Sequence, residues 1–146
     1  MSYWDTSALA KLFAPDPDSA LFENHALATS GPIVTARIGL YEARATFRRR
    51  ETDGTLQPGA AAVLFTKLMQ DVAAGLVRIV ELDPVVEREC GHVLDTCYGL
   101  TPIVALRTLD AVHLASARAA GETEFIATEK RMRDAAGALK LTLFPA

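Results

Sequence analysis

Cysteine is scarce in this chain: its 146 residues include two, Cys90 and Cys97. Both fall in one stretch of helical pattern, and seven positions on a helix separate them by roughly 10 Å, too far for a bridge. There is no C-x-x-C spacing, so neither a disulfide framework nor a thiolate zinc site is expected. Basic charge is not in excess either. Fifteen Lys and Arg stand against eighteen Asp and Glu, a net charge of −3, so the global positive field of a non-specific nucleic-acid binder is missing. Any contact with a nucleic acid has to be local or carried by metal ions. No run approaches the ~20 apolar residues of a membrane span, and the opening residues lack the pattern of a secretion signal. These absences point to a reducing cytoplasm. Repeats, linkers and low-complexity tracts are also missing, so residues 1–146 read as one domain able to bury a single sizeable core. Half of the residues are hydrophobic, which is a globular composition.

What is present is an alternation of short apolar runs with longer helical patterns. Strands are expected at Tyr3 to Asp5, Ile33 to Thr35, Leu76 to Val80, Phe125 to Ala127 and Lys140 to Phe144. Helices are expected from Ser7 to about Ala14, to about Ala28 with Asp18 as cap, and from Ala36 to about Arg50. Further helices follow over Gly59 to Ala74, Pro84 to about Tyr98, Arg107 to Ala120 and Glu129 to Ala136. The breaks lie at PDPD (Pro15 to Asp18), Ser30-Gly31-Pro32, TDG (Thr52 to Gly54), Gly75, Pro102 and Gly121. Short strands separated by helices of this length imply an α/β three-layer sandwich, its mainly parallel central sheet covered by helices.

Some carboxylates stand where plain solvation does not account for them. In MSYWDTSALA, Asp5 ends the apolar opening of Met1, Tyr3 and Trp4, just before a small-residue helical pattern. A helix cap explains it; so does a place at the carboxyl end of a first strand, where open α/β sheets bind ligands. Asp110, in LRTLDAVHLASA, shares a helix face with Leu106, Leu114 and Ala117, where a lone charge is costly unless paired or bound to a cation. It also suits a first helical turn. Glu42, in TARIGLYEARATF, has small neighbours that let a ligand approach, or it faces solvent and pairs with Arg37 or Arg49. Glu129 follows the strand FIAT and suits a first helical turn, yet like Asp5 it leaves a strand's carboxyl end.

If the sheet is parallel, Asp5 and Glu129 emerge on one edge, within reach of Asp110 and Glu42. Carboxylates gathered so closely repel one another unless a hard cation neutralises them. Mg²⁺ or Mn²⁺ takes oxygen ligands of this kind, and ion pairs roughly 3.5–4 Å apart serve many nucleases and phosphatases. Such chemistry also suits a nuclease of net charge −3, because cations rather than lysines meet the phosphate.

These positions, in this order, carry a family resemblance. WDTSALAKLF with Asp5 and Ser7, TARIGLYEARATF with Glu42, LRTLDAVHLASA with Asp110, and FIATEKRMRDAA together resemble PIN-domain ribonucleases. The length and full-chain order are similar to VapC-type toxins of toxin–antitoxin modules. The resemblance implies a PIN-like fold and a Mg²⁺- or Mn²⁺-dependent endoribonuclease that cuts RNA by water attack, forms a homodimer and is restrained by a VapB-like antitoxin. It implies Asp5, Glu42 and Asp110 as metal-binding acids and Ser7 as an accessory polar group supporting Asp5 or a metal-bound water. The fourth motif departs from the family's usual Thr-x-Asp, since Ala127, Thr128 and Glu129 stand there. Glu129 can bind a metal with its oxygens moved outward, and Thr128 offers a hydroxyl from a neighbouring direction. Whether one metal or two are held stays open.

Other residues carry weaker signals. His113, one turn after Asp110, is expected to hydrogen-bond it as a structural partner. Arg48 and Arg49, with Arg50, form a solvated helix end or meet RNA phosphates, and Arg107 divides the same way. Trp4 and Phe13 are core or interface aromatics. Leu12, Phe13, Leu21 and Phe22 form a groove for an antitoxin helix or pack ordinarily. Two other classes place acids similarly. An aspartate-nucleophile phosphatase needs a second Asp where Ser7 stands. A phospho-receiver regulatory domain needs a phosphoacceptor Asp after a middle strand and a late lysine, for which Lys130 is available.

Overall fold

The structure is a computed structural model and describes residues 2–146; Met1 lies outside the described residues. In chain order the elements are β1 (Ser2–Trp4), α1 (Thr6–Leu9) running into a 3₁₀ turn (Ala10–Leu12), α2 (Ser19–Ala28), β2 (Ile33–Ala36) and α3 (Arg37–Thr52). They continue with α4 (Ala60–Ala73), β3 (Val77–Val80), α5 (Pro84–Tyr98), α6 (Thr108–Ala119), β4 (Glu124–Ile126), α7 (Lys130–Ala138) and β5 (Thr142–Phe144). The strands form one sheet in the order β3-β2-β1-β4-β5, and every pairing is parallel. The helical connections allow this, because parallel neighbours cannot be joined by tight turns.

Alternation along a strand builds the layers. Successive residues of β1 point to opposite faces. Tyr3 joins Val34, Phe125 and apolar residues of α5, α6 and α7 in one core, while Trp4 joins Phe22, Phe47, Leu68 and Ile126 in the other. Helices α5 to α7 therefore cover one face of the sheet and α1 to α4 the other, in three layers. The helix ends follow local chemistry. Asp83 caps α5 by accepting from Val86 N at 2.9 Å, with Pro84 in its first turn, and Gly75 and Gly121 take positive φ just past α4 and α6. Asp18 departs from its expected role. It precedes α2 but makes no capping bond, because its carboxylate and that of Asp16 both turn to Lys11. Phe22 is fully buried against Trp4, so it belongs to the core and not to a groove with Leu12, Phe13 and Leu21. Among the described residues no helix is long and apolar enough to cross a membrane.

One glycine holds the site's scaffold together. A Cβ on Gly39, in the first turn of α3, would lie 2.7 Å from Thr35 Oγ1. Thr35 cannot easily yield, since its hydroxyl donates to Trp4 O at 2.8 Å across the sheet. Gly39→Ala is therefore expected to lose about 1–2 kcal/mol, the clash exceeding the gain in helix propensity. The urea midpoint measures this, and a midpoint at or above the wild-type value would show that α3 can shift off the sheet.

Candidate metal centre at the carboxyl edge of the sheet

Strands β1 and β4 are parallel neighbours with Trp4 opposite Ile126, so the chain leaves both at the same edge. Asp5 continues the pairing through its N–H to Ile126 O at 3.0 Å, and Glu129 follows β4 as the residue preceding α7. Helix α3 starts directly out of β2 and brings Glu42 over that edge in its second turn, while α6 presents Asp110 in its first. Asp5, Glu42, Asp110 and Glu129 line a single cleft of about 540 Å³, together with Ser7, Arg49, Arg107 and His113.

Each carboxylate is held through one oxygen. Asp5 Oδ1 accepts from Ser7 Oγ at 2.6 Å and from Ala8 N at 3.1 Å, so Asp5 does cap α1. Glu42 Oε1 accepts from Thr6 Oγ1 at 3.0 Å and faces His113 Nε2 at 2.5 Å. Asp110 Oδ2 accepts from Arg107 N and from Arg131 Nε, both at 3.2 Å. Glu129 Oε1 accepts from Arg131 Nη2 at 2.6 Å. Among the described residues, no protein donor reaches the second oxygen of any of the four.

Electrostatics separates the two inner acids. Burial pushes the Asp5 carboxyl above its ordinary value, and the Ser7 bond, the nearby His113 charge and the Ala8 N–H offset this only in part. Burial acts the same way on Glu42, but there the hydrogen bond and charge of His113, with Thr6 and Arg49, outweigh it and hold the carboxyl below its ordinary value. His113 is in turn anchored from behind. The Tyr3 hydroxyl lies 2.7 Å from His113 Nδ1 and accepts the Ala36 N–H at 3.0 Å. Burial raises the Tyr3 phenol well above its ordinary value, so it stays protonated beside the imidazole.

Several sequence expectations change here. His113 binds Glu42 and Tyr3 rather than Asp110, because Asp110 turns back onto the start of α6 while His113 faces the sheet. Glu42 is not paired with Arg37, which goes to Glu81. Thr128 is exposed and contributes its N–H, donated to Ser7 Oγ at 3.2 Å, while its side chain does not line the cleft. Arg48 also stays outside the cleft, 3.9 Å from Glu51, whereas Arg49 and Arg107 line it. Tyr3, Thr6 and Arg131 carried no legible signal. Tyr3 looks apolar in a strand, and Arg131 looks like one more charge on a solvated helix.

The donor set suits a hard divalent ion. Among the described residues no three Asp, Glu, His or Cys groups close into a cage, which does not fit a structural zinc site. It fits an ion that keeps several waters, takes one or two carboxylates and completes its shell with substrate phosphate. The second oxygen of each acid is left without a protein donor among the described residues, and a cation would relieve the burial penalty on Asp5.

The family model of the PIN domain matches residues 2–138. No curated protein matches the sequence. Among solved structures, VapC20 of Mycobacterium tuberculosis, a sarcin-ricin loop cleaving toxin, is similar at 19% identity and a TM-score of 0.70, over 97% of this chain and 99% of that one. FitAcB from Neisseria gonorrhoeae is similar at 17% identity and a TM-score of 0.67, over 99% and 96% of the two chains. VapBC2 from Rickettsia felis, bound to a DNA fragment from its promoter, is similar at 17% identity and a TM-score of 0.65, over 98% and 97%. Likeness at these identities is likeness of fold.

Proposed function

The chain belongs to the PIN-domain family, and from that premise we propose that it is a Mg²⁺- or Mn²⁺-dependent endoribonuclease acting as one unit over residues 1–146. We propose further that it is the toxin of a type II toxin–antitoxin pair, working as a homodimer in the cytoplasm and restrained by a VapB-like antitoxin. The observation that carries the nuclease reading is the convergence of Asp5, Glu42, Asp110 and Glu129 on one cleft, each with an oxygen free of protein donors among the described residues.

Bound in this cleft, one or two divalent ions would supply an activated water and neutralise charge on the scissile phosphate. Asp5, Glu42 and Asp110 would share the one or two ions, one or two carboxylates to each, with Glu129 as a further ligand on its longer side chain. Ser7 fixes the rotamer of Asp5, and His113 with Thr6 fixes that of Glu42. Arg49 and Arg107 offer the local positive charge that a chain of net charge −3 otherwise lacks. The likeness to a sarcin-ricin loop cleaving toxin supports RNA as the substrate class.

Two other chemistries are less well supported. An aspartate-nucleophile phosphatase has Ser7 in place of its acid/base, and that hydroxyl is spent on Asp5 itself. A phospho-receiver needs its lysine at the acids, but Lys130 is 88% exposed and paired with Asp134.

The test is cleavage of a structured RNA with Mn²⁺, with Mg²⁺ and with EDTA. Cleavage in EDTA equal to that in Mn²⁺ removes the mechanism. The arginines give a second expected result. Arg49→Ala and Arg107→Ala each weaken single-stranded RNA binding and reduce the slope of log affinity against log salt by about 0.7. Fluorescence anisotropy across a salt series reads this, and an unchanged slope removes the arginine from the phosphate path.

A further inference from the structure

The guanidinium of Arg131 lies between two of the site's acids, with Nε 3.2 Å from Asp110 Oδ2 and Nη2 2.6 Å from Glu129 Oε1. It is not needed to anchor its helix. Met132, Ala135 and Ala136 bury the apolar face of α7, and Arg133 ties the helix to the sheet by donating to Ala127 O and Pro145 O. The fork is also split, one N–H to each acid, where a structural Arg–carboxylate pair usually sets two parallel N–H groups on one carboxylate. This geometry places one positive charge between two negative ones at the rim of the cleft that the proposed ion would enter, since Glu129 and Asp110 line the cleft and Arg131 lies behind them.

We propose that Arg131 is a resident counter-cation. It neutralises Asp110 and Glu129 while no divalent ion is present, and its charge opposes an ion that takes their free oxygens. The proposal rests on the metal-dependent reading of the site. A dication and a guanidinium draw on the same charge, so Arg131 sets a threshold: metal occupancy requires a higher ion concentration than the four acids alone would demand. An ordinary surface ion pair would behave differently, since breaking it would leave metal affinity unmoved.

Isothermal titration with Mn²⁺ alone, without RNA, distinguishes these cases. Arg131→Gln is expected to bind Mn²⁺ roughly three- to tenfold more tightly than wild type, because the competing charge is gone. Arg131→Lys keeps the charge without the fork and is expected to stay within about twofold of wild type. The rise in melting temperature on saturation with Mn²⁺ should also be larger for Arg131→Gln, whose metal-free form has two uncompensated acids. Equal or weaker Mn²⁺ binding by a folded Arg131→Gln, with wild-type binding intact, overturns the counter-cation and leaves the metal reading standing. Equal tightening in Arg131→Lys overturns it as well, because charge would not be the cause. Absence of Mn²⁺ binding in all three proteins overturns both.

Discussion

Asparagine in place of Asp5 is expected to give a more heat-stable protein that no longer cleaves RNA. Asp5 is 5% exposed, and burial holds its carboxyl above the ordinary aspartate value. The folded state therefore disfavours the charge that neutral pH imposes. Asparagine keeps the acceptor oxygen for Ser7 Oγ and Ala8 N and remains a good helix cap, while removing the buried charge. The melting temperature in EDTA should rise by about 2–5 °C. The sign of the pH dependence follows from linkage. A raised folded pKa means that the wild type has its full stability below the unfolded value of about 3.9 and loses part of it as pH rises through the folded value. The advantage of Asp5→Asn should thus be present at pH 7 and vanish below about pH 3.9. Mn²⁺-dependent cleavage should fall at least a hundredfold, roughly the scale at which a lost metal-site group acts. A variant that cleaves like wild type would remove Asp5 from the metal site. A variant less stable than wild type in EDTA at pH 7 would show that the charge is compensated in the folded protein.

His113→Ala carries the second large effect, and here stability and activity fall together. His113 is 3% exposed and joins Tyr3 to Glu42. Removing it opens a cavity and strips a partner from the buried Tyr3 hydroxyl and from the half-buried Glu42 carboxylate, so the expected loss is about 2–4 kcal/mol. Glu42 then loses the bond that fixes its rotamer, and cleavage at saturating Mn²⁺ should fall roughly 10–100-fold, as when support for a metal ligand is removed. Tyr3→Phe separates the roles. It leaves His113 in place against Glu42 but removes the partner of Nδ1 and of Ala36 N. A cleavage rate in Tyr3→Phe close to wild type, with lowered stability, assigns Tyr3 to the scaffold alone. Wild-type cleavage by folded His113→Ala would show that Glu42 does not need the imidazole.

Much of the architecture was legible because it rests on local rules. The order of strands and helices follows from apolar period and from breakers such as PDPD, Gly75 and Gly121, and element ends moved by only a residue or two except in the first helix, expected to about Ala14, which gives way to a 3₁₀ turn after Leu9. Asp5 and Glu129 on one edge follow from strands that run the same way. The local rules failed where two local partners competed. Asp18 had the place of a cap, but Lys11 on the preceding turn offered its carboxylate a charge-assisted bond.

The sequence by itself determined the layered α/β fold, the alternation that sends Tyr3 and Trp4 into different cores, and the acids that stand near strand ends and helix starts. Only the tertiary structure decided what each acid touches. His113 meets Glu42 from 71 positions away and Tyr3 from 110, and Arg131 reaches Asp110 across 21. Periodicity says which face a residue occupies, but not which element lies opposite. That depends on the strand order β3-β2-β1-β4-β5, in which the first strand is central and the sequence-distant helices α3, α6 and α7 come together over its end.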